Sequence, residues 1–301
     1  MKEKANPLKI SAIVSTKGRS SEIRQLLDSL QAQSVGLFEV IIVDQNEDNR
    51  LEEVLRLYDS LPISRIWTPT EAGVCRGRNI GWNKSTADVV FFPDDDCWYP
   101  NWFVEKADAI FRRSGADVVS GRAADELGRS VNGRFLGEAR SIDRNTVWVS
   151  QIEWTTFFHR NVLSVVGGFD EKIGPGSGSR WGAHEIQDVS LRALHEGFSI
   201  YYDPELYGHH AEMIYEPNDE AGRHKIASYA RGLGYVLAKH KYSEAVAVYW
   251  GSRSFLKATL YLLIGKGGMS KIYFNVGWER ISGFFAAKGA LKTEVFVDHD
   301  D

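Results

Sequence analysis

"ADVVFFPDDD", residues 87–96, decides how this chain is read. An apolar run of strand length ends in three adjacent carboxylates, Asp94, Asp95 and Asp96. Like charges held together raise one another's pKa unless a cation sits among them. A strand that delivers three of them to one point ends either in a solvated acidic turn or in a cation site. The rest of the chain decides between these.

Upstream, "ISAIVS" (10–15), "FEVIIVD" (38–44) and "ISRIWT" (63–68) are apolar runs of the same kind. Between them, "EIRQLLDSLQAQ" (22–33) and "RLEEVLRLYDSL" (50–61) place apolar residues at helical spacing, and "GRNIGWNKS" (77–85) opens another helix. Strands alternating with helices of this length predict an α/β fold with a parallel, doubly wound sheet. Ligands of such sheets sit beyond the carboxyl ends of the strands. Asp44 and Asp94–Asp96 both fall there, which favours a site over an acidic turn.

The middle of the chain is more mixed. "ADVVSGRA" (116–123) predicts a strand, and "EWTTFFHRNVLSVVGGFDE" (153–171) a strand, a short helix and a turn. "GPGSGSRWGAHE" (174–185) predicts a mobile Gly-rich loop. "IQDVSLRALHEG" (186–197) predicts a helix closed by Gly197, followed by a strand over 198–204. Beyond residue 217 the pattern is helical, and the acidic tail "DHDD" (298–301) is expected to be disordered.

Composition narrows the classes. The 301 residues suffice for one large domain with an extension, and 43% hydrophobic content supplies a proper core. Cys75 and Cys97 are the only cysteines, which excludes a disulfide framework or a zinc cluster. The opening "MKEKANPLKI" has no apolar stretch of signal-peptide length, so a reducing cytoplasm is the expected setting. Between Ala221 and Lys292, twelve Lys or Arg stand against Glu244 and Glu279 alone. That gives +10, and the overall charge of -4 leaves -14 for the rest. A basic, aromatic-rich end on an acidic body points to an anionic surface as partner. The longest apolar stretch there, "FLKATLYLLIG" (255–265), is broken by Lys257 and falls short of the ~20 residues that span a bilayer.

An aspartate–any–aspartate pattern at a strand end suits Mg²⁺ or Mn²⁺, hard ions that take oxygen ligands and hold substrate phosphates. At this point the chain resembles the family 2 glycosyltransferases of GT-A fold. The resemblance rests on "FFPDDDCWYP" (91–100), "SAIVSTKGR" (11–19), "VIIVDQNEDN" (40–49), "GVCRGRNIGW" (73–82), "GGFDE" (167–171) and residues 174–210. These run in order over residues 8–212. The resemblance implies a Rossmann-like, mostly parallel central sheet flanked by helices, with a catalytic domain over 1–215 and a basic helical C-terminal extension over 216–301. It implies a bacterial cell-surface polysaccharide type of enzyme. Such an enzyme moves sugar from a nucleotide-diphosphate donor to a glycan or lipid-linked hydroxyl, with inversion and with Mg²⁺ or Mn²⁺. No nucleic acid is involved, and the enzyme sits in the cytoplasm or peripherally on an anionic membrane face.

Residue by residue, the resemblance puts Thr16, Arg19, Asp44, Arg78, Asn79, Asp94 and Asp95 at the donor. It makes Asp94, Asp96 and His210 metal ligands. Glu185 and Asp188 fall at the family's acidic helix start, where one carboxylate deprotonates the acceptor. Relatives carry adjacent acids there and this chain has Ile186. Spacing i to i+3 puts both remaining acids on one helix face; Asp188 is narrowly preferred as base. Trp154 and Trp181 are candidate platforms for sugar faces or ordinary packing residues. "RGLGYVLAKHKY" (231–242) is either a helix packed on the body or a lipid-facing one. The alternatives are a non-catalytic sugar-nucleotide or glycan binder, kept open by Ile186, and a sugar nucleotidyltransferase. The single glycine of "STKGRSS" counts against the latter.

Overall fold

The computed structural model describes residues 7–297 apart from 71, 214, 215 and 217. The tail 298–301 and the first six residues lie outside the described residues. Two compact units emerge. One takes in the chain up to Phe169 together with Val189–Glu212; the other takes in Asp170–Asp188 and the chain from Met213 onward.

The first unit begins with strand β1 (Ile10–Thr16), helix α1 (Ile23–Gln31), β2 (Glu39–Asp44) and the short α2 (Glu52–Leu55). It continues through β3 (Ile63–Trp67), α3 (Val74–Lys84) and β4 (Val89–Phe91). Every residue of β1 except Ser15, and of β2 except Glu39, is buried, as a sheet covered on both faces requires. Helix α1 buries Ile23, Leu26, Leu27 and Leu30 on the stripe that its sequence spacing marked out.

β5 (Cys97–Trp98), α4 (Phe103–Ser114), β6 (Val118–Ala124), β7 (Arg140–Ser141), β8 (Thr156–His159) and α5 (Arg160–Val166) follow. Helix α6 (Glu185–His195) leads into β9 (Ile200–His210). The sheet order is β3-β2-β1-β4-β8-β6-β9-β5, with β7 also on β9. β3, β2, β1 and β4 are mutually parallel, whereas β8 lies antiparallel between β4 and β6.

Two expected boundaries moved. β4 stops at Phe91, so the three aspartates sit on the turn into β5 rather than on the strand; Pro93 has no N–H to continue the ladder. β9 runs through Pro204 to His210 instead of ending at 204. The ladder with β6 shifts register between Ser120 and Arg122, and Arg122 Nε donates to the Pro204 carbonyl at 2.6 Å. That irregularity accommodates the proline and carries the strand on to pair Cys97 with His210.

In the second unit, α7 (Glu220–Lys239), α8 (Glu244–Leu263) and α9 (Gly267–Val297) pack α7 on α9 and α9 on α8. A Cβ on Gly232 would overlap the Ala183 backbone, and one on Gly234 the α9 backbone around Arg280 and Phe284. The "RGLGY" stretch is therefore a packing face, where missing side chains let backbones approach. Arg231 and Glu279 join α7 to α9 at 2.9 Å.

Gly121 sits at the β6 irregularity, and a Cβ there would overlap the Leu206 carbonyl oxygen. Gly121→Ala is expected to cost roughly 1–3 kcal/mol, read as a lower urea midpoint. An unchanged midpoint would show that the two strands can part at that point.

Candidate active site

The carboxyl ends of β1 and β2 are in register, with Thr16 opposite Asp44. From there Thr16 Oγ1 donates to Asp95 Oδ2 at 2.6 Å. Arg19, in the loop after β1, reaches Asp96 at 2.7 Å and Asp95 at 3.5 Å. Arg78, almost wholly buried on α3, holds Asp94 at 2.9 Å. His210, at the end of β9, brings Nε2 to 3.1 Å from Asp96 Oδ1. Each aspartate thus faces a cation from a different part of the chain, which lets three adjacent carboxylates coexist.

The electrostatics follow. Burial pushes the Asp95 carboxyl up to about 6, against the pull of Thr16 and Arg19. Burial also works to raise Asp96, but the hydrogen bond and charge of His210, with Arg19, outweigh it and hold it at about 2. The His210 imidazole rises despite its burial, through Asp96 and the Ala211 carbonyl. Burial acts to lower Arg19, and the charges of Asp95 and Asp96 overcome it.

The structure gathers Thr16, Arg19, Arg78, Asp94, Asp95, Asp96 and His210 from the predicted set. Trp154 joins them, although it is buried and stacks on the His210 ring at 5.0 Å. Asp44 is fully buried: Oδ1 accepts from the Asn46 backbone at 2.9 Å and side chain at 2.7 Å, and Oδ2 pairs with Arg65 at 2.6 Å. Asn79 braces the "GGFDE" turn, donating to Phe169 O at 2.9 Å and accepting from Phe169 N at 2.8 Å. Asn46, Arg65 and Asn132 were not singled out from sequence. A charge within the apolar run "ISRIW" was the available signal for Arg65. Asn132, at φ +57°, donates to Ala211 O at 3.0 Å beside His210.

In the second unit, Gly174 lies at φ +94° over Glu185, where a Cβ would overlap the carboxylate, and its N–H bonds Trp181 O at 2.8 Å. Trp181 stacks on Tyr235 at 4.9 Å, so the Gly-rich loop is pinned to α7. Asp188 is fully buried; Lys239 Nζ and His240 Nε2 lie 2.9 and 2.8 Å from its Oδ1. Ile186 between the two acids is also fully buried and serves the core.

Could these residues hold a divalent cation? Among the described residues no group of three His, Cys, Asp or Glu side chains converges. Asp94 is turned to Arg78, which leaves Asp96 with His210. The His210 Nδ1 lies 2.7 Å from the Ala211 carbonyl, so as a neutral ring it donates there and aims the Nε2 lone pair at Asp96. One carboxylate and one imidazole fit a cation whose remaining positions are filled by phosphate and water.

Residues 11–158 match the model of glycosyl transferase family 2. Over that span, just under half of the chain, the sequence carries the pattern of this family. A 92-residue stretch, 30% of the chain, is 38% identical to an uncharacterized glycosyltransferase of Haemophilus influenzae, of which it covers 31%. The chain spans 31% to 66% of the lengths of three curated relatives it matches. Among solved structures, S. aureus TarS 1–349 in complex with UDP-GlcNAc superposes with a TM-score of 0.56 at 17% identity, over 95% of this chain and 92% of that one. The mannosyltransferase PcManGT of Pyrobaculum calidifontis, in complex with GDP-Man and Mn²⁺, gives 0.58 at 15% identity, over 96% and 76%. The fold is GT-A, a mixed α/β sheet flanked by helices with a helical C-terminal region, as the sequence motifs of family 2 implied.

Asp188 meets Lys239 and His240 in a fully buried setting. Asp188→Asn is expected to lower stability by roughly 3 kcal/mol, measured by urea unfolding. A change within 0.5 kcal/mol, the range of ordinary surface substitutions, would show the pair to be dispensable.

Proposed function

We propose that this protein is a metal-dependent, inverting glycosyltransferase that moves a sugar from a nucleotide-diphosphate donor to a hydroxyl of a glycan or lipid-linked glycan. Residues 1–215 are the catalytic domain and 216–301 a basic helical extension that meets the cytoplasmic face of an anionic membrane. The observation that carries this reading is the pairing of Asp96 with His210, beside Arg19 and Arg78, within a family 2 domain. The solved neighbours' nucleotide sugars, UDP-GlcNAc and GDP-Man, support the donor class, and Mn²⁺ beside GDP-Man supports the cofactor.

A bound Mg²⁺ or Mn²⁺, held by Asp96 and His210, would supply Lewis-acid neutralisation of the diphosphate. Arg78 and Arg19 add fixed positive charge where negative charge grows on the leaving group. Thr16 fixes Asp95 at the donor end. Asp44 acts through Asn46, which also accepts from the Gly18 N–H at 2.6 Å and so shapes the loop that borders the nucleotide. Trp154 orients the His210 ring instead of contacting acceptor, which leaves Trp181 as the sugar platform.

The base is Glu185. Asp188, preferred from sequence, is fully buried with Lys239 and His240 against its Oδ1, so taking a proton would cost it the Lys239 ion pair. Glu185 takes the acceptor proton as the hydroxyl oxygen bonds the anomeric carbon. The carbon–oxygen bond to the diphosphate breaks on the opposite face, and a single displacement inverts the centre.

Two variants test this in a nucleotide-sugar screen read by thermal shift and turnover. Glu185→Gln is expected to keep the donor-induced shift while turnover falls by roughly 10²–10⁴; wild-type turnover would remove Glu185 as base. Asp96→Asn is expected to abolish the Mn²⁺-dependent part of the shift. A donor shift equal with Mn²⁺ and with EDTA would overturn metal dependence.

A further inference from the structure

Helix α8 is inverted in polarity. Its buried residues, Ala247, Gly251, Ser254 and Ala258, are small and fall on one face. Its large apolar residues Tyr249, Leu256, Leu260 and Leu263 occupy the opposite face, between 55% and 78% exposed. Leu262 and Ile264 extend that surface at the helix end. On α9, Phe274, Trp278 and Phe285 recur on one helical face and are likewise exposed. Phe255 of α8 lies 5.2 Å from Phe274, so the apolar surfaces of the two helices adjoin. Between them a Cβ on Gly277 would meet the Gly251 carbonyl oxygen at 2.9 Å.

Water selects helices with large apolar residues inside. Hydrocarbon selects the reverse, because lipid solvates leucine while small residues let helices touch. An exposed apolar surface of this extent marks an interaction site. No helix among the described residues is long and apolar enough to cross a membrane, which leaves a helix pair lying on one. The charge is complementary to an anionic bilayer. Glu244 and Glu279, the acids of the basic segment, are paired with Lys288 at 2.7 Å and Arg231 at 2.9 Å. Lys266 and Lys271 sit exposed at the turn between the helices. A second copy would present the same positive rim and repel.

We propose that the α8–α9 pair is a membrane-docking surface. Leu256, Leu260, Leu263 and Ile264 enter the acyl boundary of an anionic phospholipid bilayer while Lys266 and Lys271 meet headgroup phosphates. This rests on the peripheral-membrane part of the proposed function and names the surface responsible.

The test is co-sedimentation of the full chain with vesicles of phosphatidylcholine, with and without phosphatidylglycerol. Wild type is expected to partition onto the phosphatidylglycerol vesicles, and Leu256→Gln/Leu260→Gln/Leu263→Gln to lower that partition by roughly tenfold or more. Lys266→Gln/Lys271→Gln is expected to lower it too and to flatten its salt dependence. Equal partition of wild type and the triple variant, or no wild-type binding, overturns the proposal. So does a wild-type dimer that the triple variant converts to monomer without any lipid binding, which assigns the surface to a second copy. Sugar-nucleotide turnover on the same samples separates the two readings. Retained turnover without vesicle binding removes only the docking surface; vesicle binding without turnover removes only the transferase.

Discussion

Three neighbouring carboxylates at the edge of a largely buried sheet would repel one another apart unless each were answered. Arg19, Arg78 and His210 answer them, and they arrive from the loop after β1, from α3 and from the end of β9. Much of the first unit can be understood as the means of bringing those three cations to one turn. The parallel block β3-β2-β1-β4 sets Thr16 and Arg19 above the turn, and the β9 extension past Pro204 delivers His210.

The pairing of Asp96 with His210 is itself held in place by its neighbours. Against its burial, Asp96 is held low by the hydrogen bond and charge of His210, and the imidazole is in turn pushed up by Asp96. The Nδ1 contact to Ala211 means that loss of the Nε2 proton exposes a lone pair aimed at that same carboxylate. The stacked Trp154 ring limits the imidazole's freedom to turn away.

The second unit shows two uses of small residues. Gly232 and Gly234 let α7 approach Ala183 and α9, which settles the "RGLGY" stretch as a packed helix face. Gly251 and Gly277 do the same for α8 and α9, and there the neighbouring large residues are turned outward instead. Close backbone contact in the first case supports a wet exterior, in the second an apolar one. Burial, not glycine content, separates them.

The sequence by itself determined the α/β class, the acidic cluster beyond the fourth strand, and the likeness to family 2. Apolar periodicity and acidic strand ends are local, and local patterns are legible one segment at a time. Only the tertiary structure set the two acids apart by their surroundings. Glu185 and Asp188 are equivalent by spacing, but Lys239 and His240, far along the chain, hold Asp188. It also decided that Asn79 braces Phe169, that Arg78 diverts Asp94, and that β9 passes through its proline. Each of those turns on a partner distant in the chain, and burial charges or spares a side chain according to what surrounds it, not what precedes it.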